Sequence, residues 1–404
     1  MIDDRIAGSP RYRLTRRALL AGGAAAALAG SVPTRFALGQ QAKVKLGLML
    51  PYSGTYAALG QNITDAIKLA IAEKGGKLGG REIEYVQVDD ESEPAKAPQN
   101  ANRVVVGEKA DFFIGTVHSG VVMAMVKVAR EENALLIIPN AGAGAATGQF
   151  CAPNIFRTSF SNWQPAFPMG AVAAKRGHKT AAVMAWKYGA GEESVQGFTE
   201  GFTKAGGKVV KEFWVPFPDV EFQAQLTELA ALKPDALFVF FAGGGAAKFV
   251  KDYDGAGLRK SIPLYSTGFL TDGVLKAQGA AAEGLFTTLH YAENLDNPVN
   301  KRFRADFQKQ TGRAADVYAV QGYDTGQLLI QAMDAVKGDV KAREPMIKAM
   351  RAATIDSPRG KFTFSASHNP VQDIYLRTVA NGENQFVEVA HKALADPAAG
   401  CKMT

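Results

Sequence analysis

The residues here with the means to do chemistry are few, and their spacing favours binding over bond-making. His118 and Ser119 stand side by side, a base and a nucleophile by type, yet sequence neighbours rarely face each other in those roles. No Gly-x-Ser-x-Gly elbow accompanies them. The five His, at 118, 178, 290, 368 and 391, lack metal-ligand spacing. Asp89-Asp90-Glu91 closes an apparent strand, where adjacent side chains alternate faces, so the cluster reads as a solvated loop entry rather than a cation site. Gly142-Ala143-Gly144 approaches a dinucleotide fingerprint but lacks its third Gly and a convincing following helix. Gly206-Gly207-Lys208 runs into Val209, without the Ser or Thr of a phosphate loop. These residues supply no catalytic set, no metal site and no cofactor site.

The elements that position them alternate strand and helix. Lys43–Leu50, Glu82–Val88, Asp111–Gly115 and Ala134–Pro139 read as strands, separated by helical stretches at Asp65–Lys74, Ala95–Glu108 and Gly120–Glu132. The pattern restarts with strands at Lys179–Trp186, Lys208–Val215, Asp235–Phe241 and Ile262–Ser266 around helices Glu192–Ala205, Phe222–Leu232 and Gly245–Gly255. Two α/β units with parallel sheets follow from that order. The last third adds a strand at Gly284–Leu289, helices at Asn300–Thr311, Val317–Val336 and Pro345–Ala352, and a strand pair, Lys361–Phe364 with Asp373–Ala380. So many helices exceed what the second unit can use. A chain that crosses back to the first unit and returns near residue 370 accommodates them.

Composition narrows the function classes. A chain of 404 residues, 47% hydrophobic and 21% charged, can fill two ordinary domains and is neither disordered nor collagen-like. The net charge of +7 hints at nucleic acid, but residues 1–39 hold six Arg against two Asp, leaving only +3 for the remainder, without a basic run. Residues 11–32 join an Arg-rich start to a short Ala/Gly-rich apolar run, and Thr15-Arg16-Arg17-Ala18-Leu19-Leu20 resembles a twin-arginine export signal. Ala37-Leu38-Gly39 offers small residues for cleavage near Gln40, which predicts a 1–39 signal peptide and a periplasmic mature chain. An amphipathic N-terminal helix is the alternative. Export gives Cys151 and Cys401 an oxidising compartment. A bridge between them is favoured over two buried thiols, because Cys401 lies in a polar tail; it would add about 5 kcal/mol in the chain-entropy model.

In open α/β sheets ligands sit beyond the carboxyl ends of the strands. Those positions hold Tyr52 and Tyr56, His118 and Ser119, and Asn140, Ala141 and Gly142; the second unit adds Tyr188, Gly243 and Phe269. Hydroxyls, backbone amides and rings suit a small ligand with one carboxylate, which Ser119 and the amides of the helix after it can hold. Singly, each aromatic reads as core and each glycine as a turn; their convergence on equivalent strand ends favours a binding cleft.

The stretches GLMLPYSGTYAALGQ, IGTVHSG, IIPNAGA, FRTSFSNWQP, FVFFAGGG and RGKFTFSASHNPVQDIYLRTVANG, in this order, resemble the branched-chain amino acid-type solute-binding proteins of ABC importers over nearly all of residues 41–391. The resemblance implies the type I periplasmic binding protein fold: two Rossmann-like lobes, 41–160 plus 290–370 and 161–289 plus 371–404. Three hinge crossovers are implied near Ser159–Trp163, Thr287–Tyr291 and Asn369–Gln372. It also implies a ligand buried between the lobes, an inner-membrane permease and its ATPases as partners, and a chain acting as a monomer without catalysis. Ser119 falls on the family's carboxylate-binding serine, Ala141 and Gly142 on its second carboxylate segment, with Gly142 replacing a Thr, and Tyr188 on its cleft tyrosine. Leu59 replaces an aromatic. Gly268 stands about where amino acid binders place the acid for the ligand's ammonium, and a buried ammonium without a counter-charge is costly. A carboxylate without an amine fits better, and Tyr188, Phe269, Phe240 and Phe241 suggest a flat apolar body. The pattern resembles the branch that binds benzoate-type acids, with His118 pairing with the carboxylate or a ring hydroxyl. Branched-chain amino acids or another small acid or amide are the alternative ligands, a sensor the alternative role, and an exported hydrolase using Ser119 and His118 the alternative class.

Overall fold

The computed structural model describes residues 42–403; the expected 1–39 signal peptide and its cleavage near Gln40 lie outside them. Apolar runs in the first third form five strands, β1 Val44–Leu50, β2 Ile83–Asp89, β3 Phe112–Gly115, β4 Leu136–Ile138 and β5 Ile155–Arg157. They make one parallel sheet in the order β2-β1-β3-β4-β5. The second sheet contains β6 Thr180–Trp186, β7 Lys208–Val215, β8 Ala236–Phe240, β9 Leu264–Thr267 and β10 Phe286–Leu289 in the order β7-β6-β8-β9-β10. The two parallel arrays share one topology. The second is extended by antiparallel strands β11 Thr363–Phe364, β12 Pro370–Ala380 and β13 Glu383–Leu394.

Each sheet with the helices packed on it is called a lobe below. The late helices belong to the first lobe, where Val317–Ala335 lies along Ala57–Ala72. Gly322 permits the approach: a Cβ there would sit 2.2 Å from the Ile63 carbonyl oxygen. The chain therefore crosses between lobes after β5, after β10 and before β12. Arg359 stitches these crossings together from a buried position. It donates to Ser159 O at 2.9 Å and Gln372 Oε1 at 2.7 Å, and pairs with Asp324 at 3.0 Å.

Several elements differ from the sequence reading. The three-residue β5 was hidden in the crossover stretch. Helix Trp163–Lys175 was masked by Pro165 and Pro168, the first sitting in the opening turn, where no intrahelical donor is lost. β12 has β13 as its long partner, and the expected 361–364 strand pairs over two residues only. The Gly142-Ala143-Gly144 turn leads into just one helical turn, Gly144–Thr147. The final residues leave the second lobe: Cys401 is disulfide-bonded to Cys151 across 250 positions, and Gly400 and Ala399 pack on Gln149 and Gly148.

Candidate functional site

The carboxyl ends of β1, β3 and β4 face those of β6, β8 and β9 across a narrow cavity of about 20 Å³, well below the range for ligand sites. The first lobe contributes Tyr56, Leu59, Val117, Asn140, Gly142 and Tyr318; the first crossover contributes Phe160 and Asn162; the second lobe contributes Tyr188, Ala190, Phe240, Ala242 and Phe269. Among the described residues, no acid and no base lines it.

Rings form its walls in a chain of contacts. Phe269 lies 4.7 Å from Phe160, 6.4 Å from Phe240 and 6.1 Å from Tyr318 between ring centres. Tyr188 continues the wall 6.3 Å from Phe240. Tyr56 and Tyr188 meet across the lobes with their phenol oxygens 2.8 Å apart, and burial raises the pKa of both, so they remain neutral hydrogen-bonding groups. The Tyr318 hydroxyl, also buried and neutral, finds no partner among the described residues.

The polar side is made of dipoles. Ser119 opens helix Ser119–Glu131 and lies 3.2 Å from the Asn162 amide. Asn140 donates to Gln321 Oε1 at 2.7 Å, which holds its side chain against the helix Val317–Ala335. The Ala141 amide is bonded to Thr116 O at 2.9 Å, whereas the Gly142 amide has no partner among the described residues. A helix start, a hydroxyl and free amides can hold one carboxylate without a cation.

The sequence-derived residues separate into three groups. Tyr56, Asn140, Gly142, Tyr188 and Phe269 line the cavity, with Ser119 one hydrogen bond behind. His118, Ala141 and Gly243 support it. The His118 ring accepts the Gly120 N–H through Nδ1 at 3.0 Å and stacks on Tyr188 with centres 4.5 Å apart. Burial lowers its pKa to about 4, so it is a neutral backing for Tyr188 and lines the outer groove with Lys187 and Phe217. Gly243 has φ +56°, and a Cβ there would lie 2.4 Å from Thr55 O of the opposite lobe. Tyr52 is turned away to Thr64 and Gln87. Phe241 also faces elsewhere, packing on Trp186 and Phe249, because adjacent residues at a strand end alternate faces. Gly268 does not front the cavity either: a Cβ there would lie 2.1 Å from the Arg377 guanidinium, and Phe269 presents its ring instead. Asn162, Phe160 and Tyr318 were missed.

Solved proteins share this architecture. A solute-binding protein of an ABC transporter from R. palustris, solved in complex with benzoate, is 52% identical and superposes with a TM-score of 0.88 over 89% of this chain and 100% of its own. A second, from Rhodopseudomonas palustris BisB5 with 3,4-dihydroxybenzoic acid, is 32% identical with a TM-score of 0.83 over 88% of this chain and 99% of its own. The Leu/Ile/Val-binding protein homolog 6 of Brucella abortus (strain 2308) is 31% identical over 348 residues, 84% of this chain and 88% of that protein. The sequence profile of the periplasmic binding proteins matches residues 43–384, and with two matching lobes closed over a cavity between their strand ends, this chain belongs to that family.

Proposed function

We propose that this protein is the substrate-binding protein of an ABC importer and captures a small aromatic monocarboxylate of the benzoate or hydroxybenzoate type between its lobes. The observation that carries the reading is the cavity's composition: aromatic walls, a rim of uncharged donors, and neither acid nor base. A ring gains from the apolar walls and a carboxylate from the Ser119 helix start, the Gly142 amide and Asn162. An amino acid would bring an ammonium with no counter-charge beside it, at a cost of several kcal/mol. The benzoate and dihydroxybenzoate held by the two R. palustris relatives support the same class.

The site residues follow from this pose. Ser119, Gly142, Asn140 and Asn162 take the carboxylate; Tyr56, Tyr188, Phe160, Phe240 and Phe269 enclose the ring; Tyr318 supplies a donor that closure leaves unspent. The chain itself catalyses nothing in this scheme. Residues 1–39 direct export to the periplasm, and the loaded, closed form delivers its cargo to an inner-membrane permease with its ATPases. Branched-chain amino acids are the second reading, favoured by the Leu/Ile/Val name of the Brucella relative.

A thermal-shift screen of the mature chain tests the class. A ligand at 100 times its dissociation constant adds about 2.7 kcal/mol to the folded state. Benzoate or a hydroxybenzoate should raise the melting point; a rise with leucine or valine alone would transfer the role to the second reading.

A further inference from the structure

One peptide unit beside the cavity is gripped by opposite charges from different parts of the fold. The Ala143 carbonyl accepts from the Arg157 guanidinium, and the Gly144 N–H donates to both carboxylate oxygens of Glu193, each at 3.0 Å. Arg157 ends β5 in the first lobe, whereas Glu193 rides on helix Gly189–Lys204 of the second. The Glu193 carboxylate therefore spans the cleft. It also accepts from Asn162 Nδ2 at 2.8 Å, and the same nitrogen lies 3.2 Å from Ser119 Oγ. Asn162 Oδ1 crowds Gly142, where a Cβ would sit 2.3 Å away. Glu193 is thus one residue removed from the groups that hold the ligand, without lining the cavity itself.

Burial disfavours the charged carboxylate, and the hydrogen bonds from Asn162 and Gly144 and the charge of Arg157 oppose that cost. Asp396, in the tail joined to the first lobe through Cys401, is the other charged neighbour. Arg157 and Gly144 belong to the first lobe, whereas Asn162 stands at the first crossover, capping helix Trp163–Lys175. Separation of the lobes would remove Arg157 and Gly144 together.

We propose that Glu193 is a positioning residue that latches the closed form: it fixes Asn162 over Ser119 and Gly142 only while the lobes are shut. This rests on the cleft reading above and adds how that site keeps its ligand. Capture by the open form precedes the latch; release must break it. The latch therefore acts on dissociation and leaves association alone.

Stopped-flow fluorescence with benzoate as the probe separates the two rates in the wild type, Glu193→Gln, Glu193→Ala and the exposed-site control Glu192→Gln. Loss of the charge-assisted bonds should raise the dissociation rate at least about tenfold in both Glu193 variants, with association within about threefold and the control unchanged. The melting point of the ligand-free protein should not move, which a merely structural residue would not satisfy. A dissociation rate within twofold of wild type overturns the latch. If wild type ignores benzoate, the ligand reading fails, and the latch is then judged without ligand from spin-label distances between Lys127→Cys and Lys251→Cys. Glu193→Ala must reduce the closed fraction; an unchanged or absent closed fraction overturns the proposal.

Discussion

Tyr56 and Tyr188 share a hydrogen bond, 2.8 Å between phenol oxygens, in which each lobe supplies one partner. Tyr56 sits beside the start of helix Ala57–Ala72 and Tyr188 beside the start of helix Gly189–Lys204. Equivalent positions of two similarly wound lobes thus close over the cavity between them. A neutral hydrogen bond contributes about 0.5–1.5 kcal/mol. Tyr56→Phe should weaken ligand binding by roughly two- to tenfold in a calorimetric titration while the ligand-free melting point stays put. Unchanged affinity would mean that the bond forms no part of the bound state.

Gly243 makes a steric test of closure. With φ +56° and Thr55 O in the path of any Cβ, Gly243→Ala combines left-handed strain with a clash that exists only when the lobes meet. The variant should fold, remain open, and lose ligand affinity by at least an order of magnitude. Small-angle scattering with saturating ligand should show no compaction. A compact, fully binding Gly243→Ala would contradict the closed arrangement.

Tyr318 carries an unspent donor. A buried hydroxyl without a partner costs about 1–3 kcal/mol, so Tyr318→Phe should leave the ligand-free melting point equal or higher. The cognate acid should bind it several-fold more weakly, because the ligand loses that donor. A stabilised variant with full affinity would place the ligand's polar atoms elsewhere.

Acid should favour the open form through His118. Its burial comes from Tyr188 and Phe217 of the opposite lobe, and it lowers the pKa from 6.5 to about 4. Above pH 6.5 the ring is neutral whether the lobes are open or shut. As the pH falls from 6.5 towards 4 the exposed ring takes a proton and the buried one does not, so closure weakens by up to roughly 1.4 kcal/mol per pH unit. Titrations at pH 7, 6 and 5 should show affinity falling in the wild type and falling less in His118→Phe. Parallel curves would exclude His118 as the sensitive group.

Much of this was legible in the chain. Strands buried on both faces read as continuous apolar runs, and apart from the three-residue β5 both arrays were recognisable to within a few residues. The cleft positions at the ends of β1, β3, β4, β6 and β9 followed from the rule that ligands gather there. The misses have physical causes. Phe240 and Phe241 are indistinguishable in sequence until strand alternation assigns them to opposite faces, and Gly268 and Phe269 differ in the same manner at a turn. Tyr52 lies on the correct loop but finds Thr64 on its own lobe. Tyr318 and Asn162 carried no local signal: one is brought in by a helix from the returning chain, the other by a crossover. Glu193 looked like any charge in the first turn of a helix, and only the meeting of the lobes gives it the Gly144 N–H.

The central claim is that the cavity takes an aromatic acid and rejects an ammonium. Calorimetric titration of the mature wild-type protein with benzoate, 4-hydroxybenzoate and leucine tests it most directly. Saturable one-to-one binding of an aromatic acid, with leucine at least a hundredfold weaker, is the result expected from a cavity without a carboxylate. Leucine bound more tightly than either aromatic acid would contradict the account.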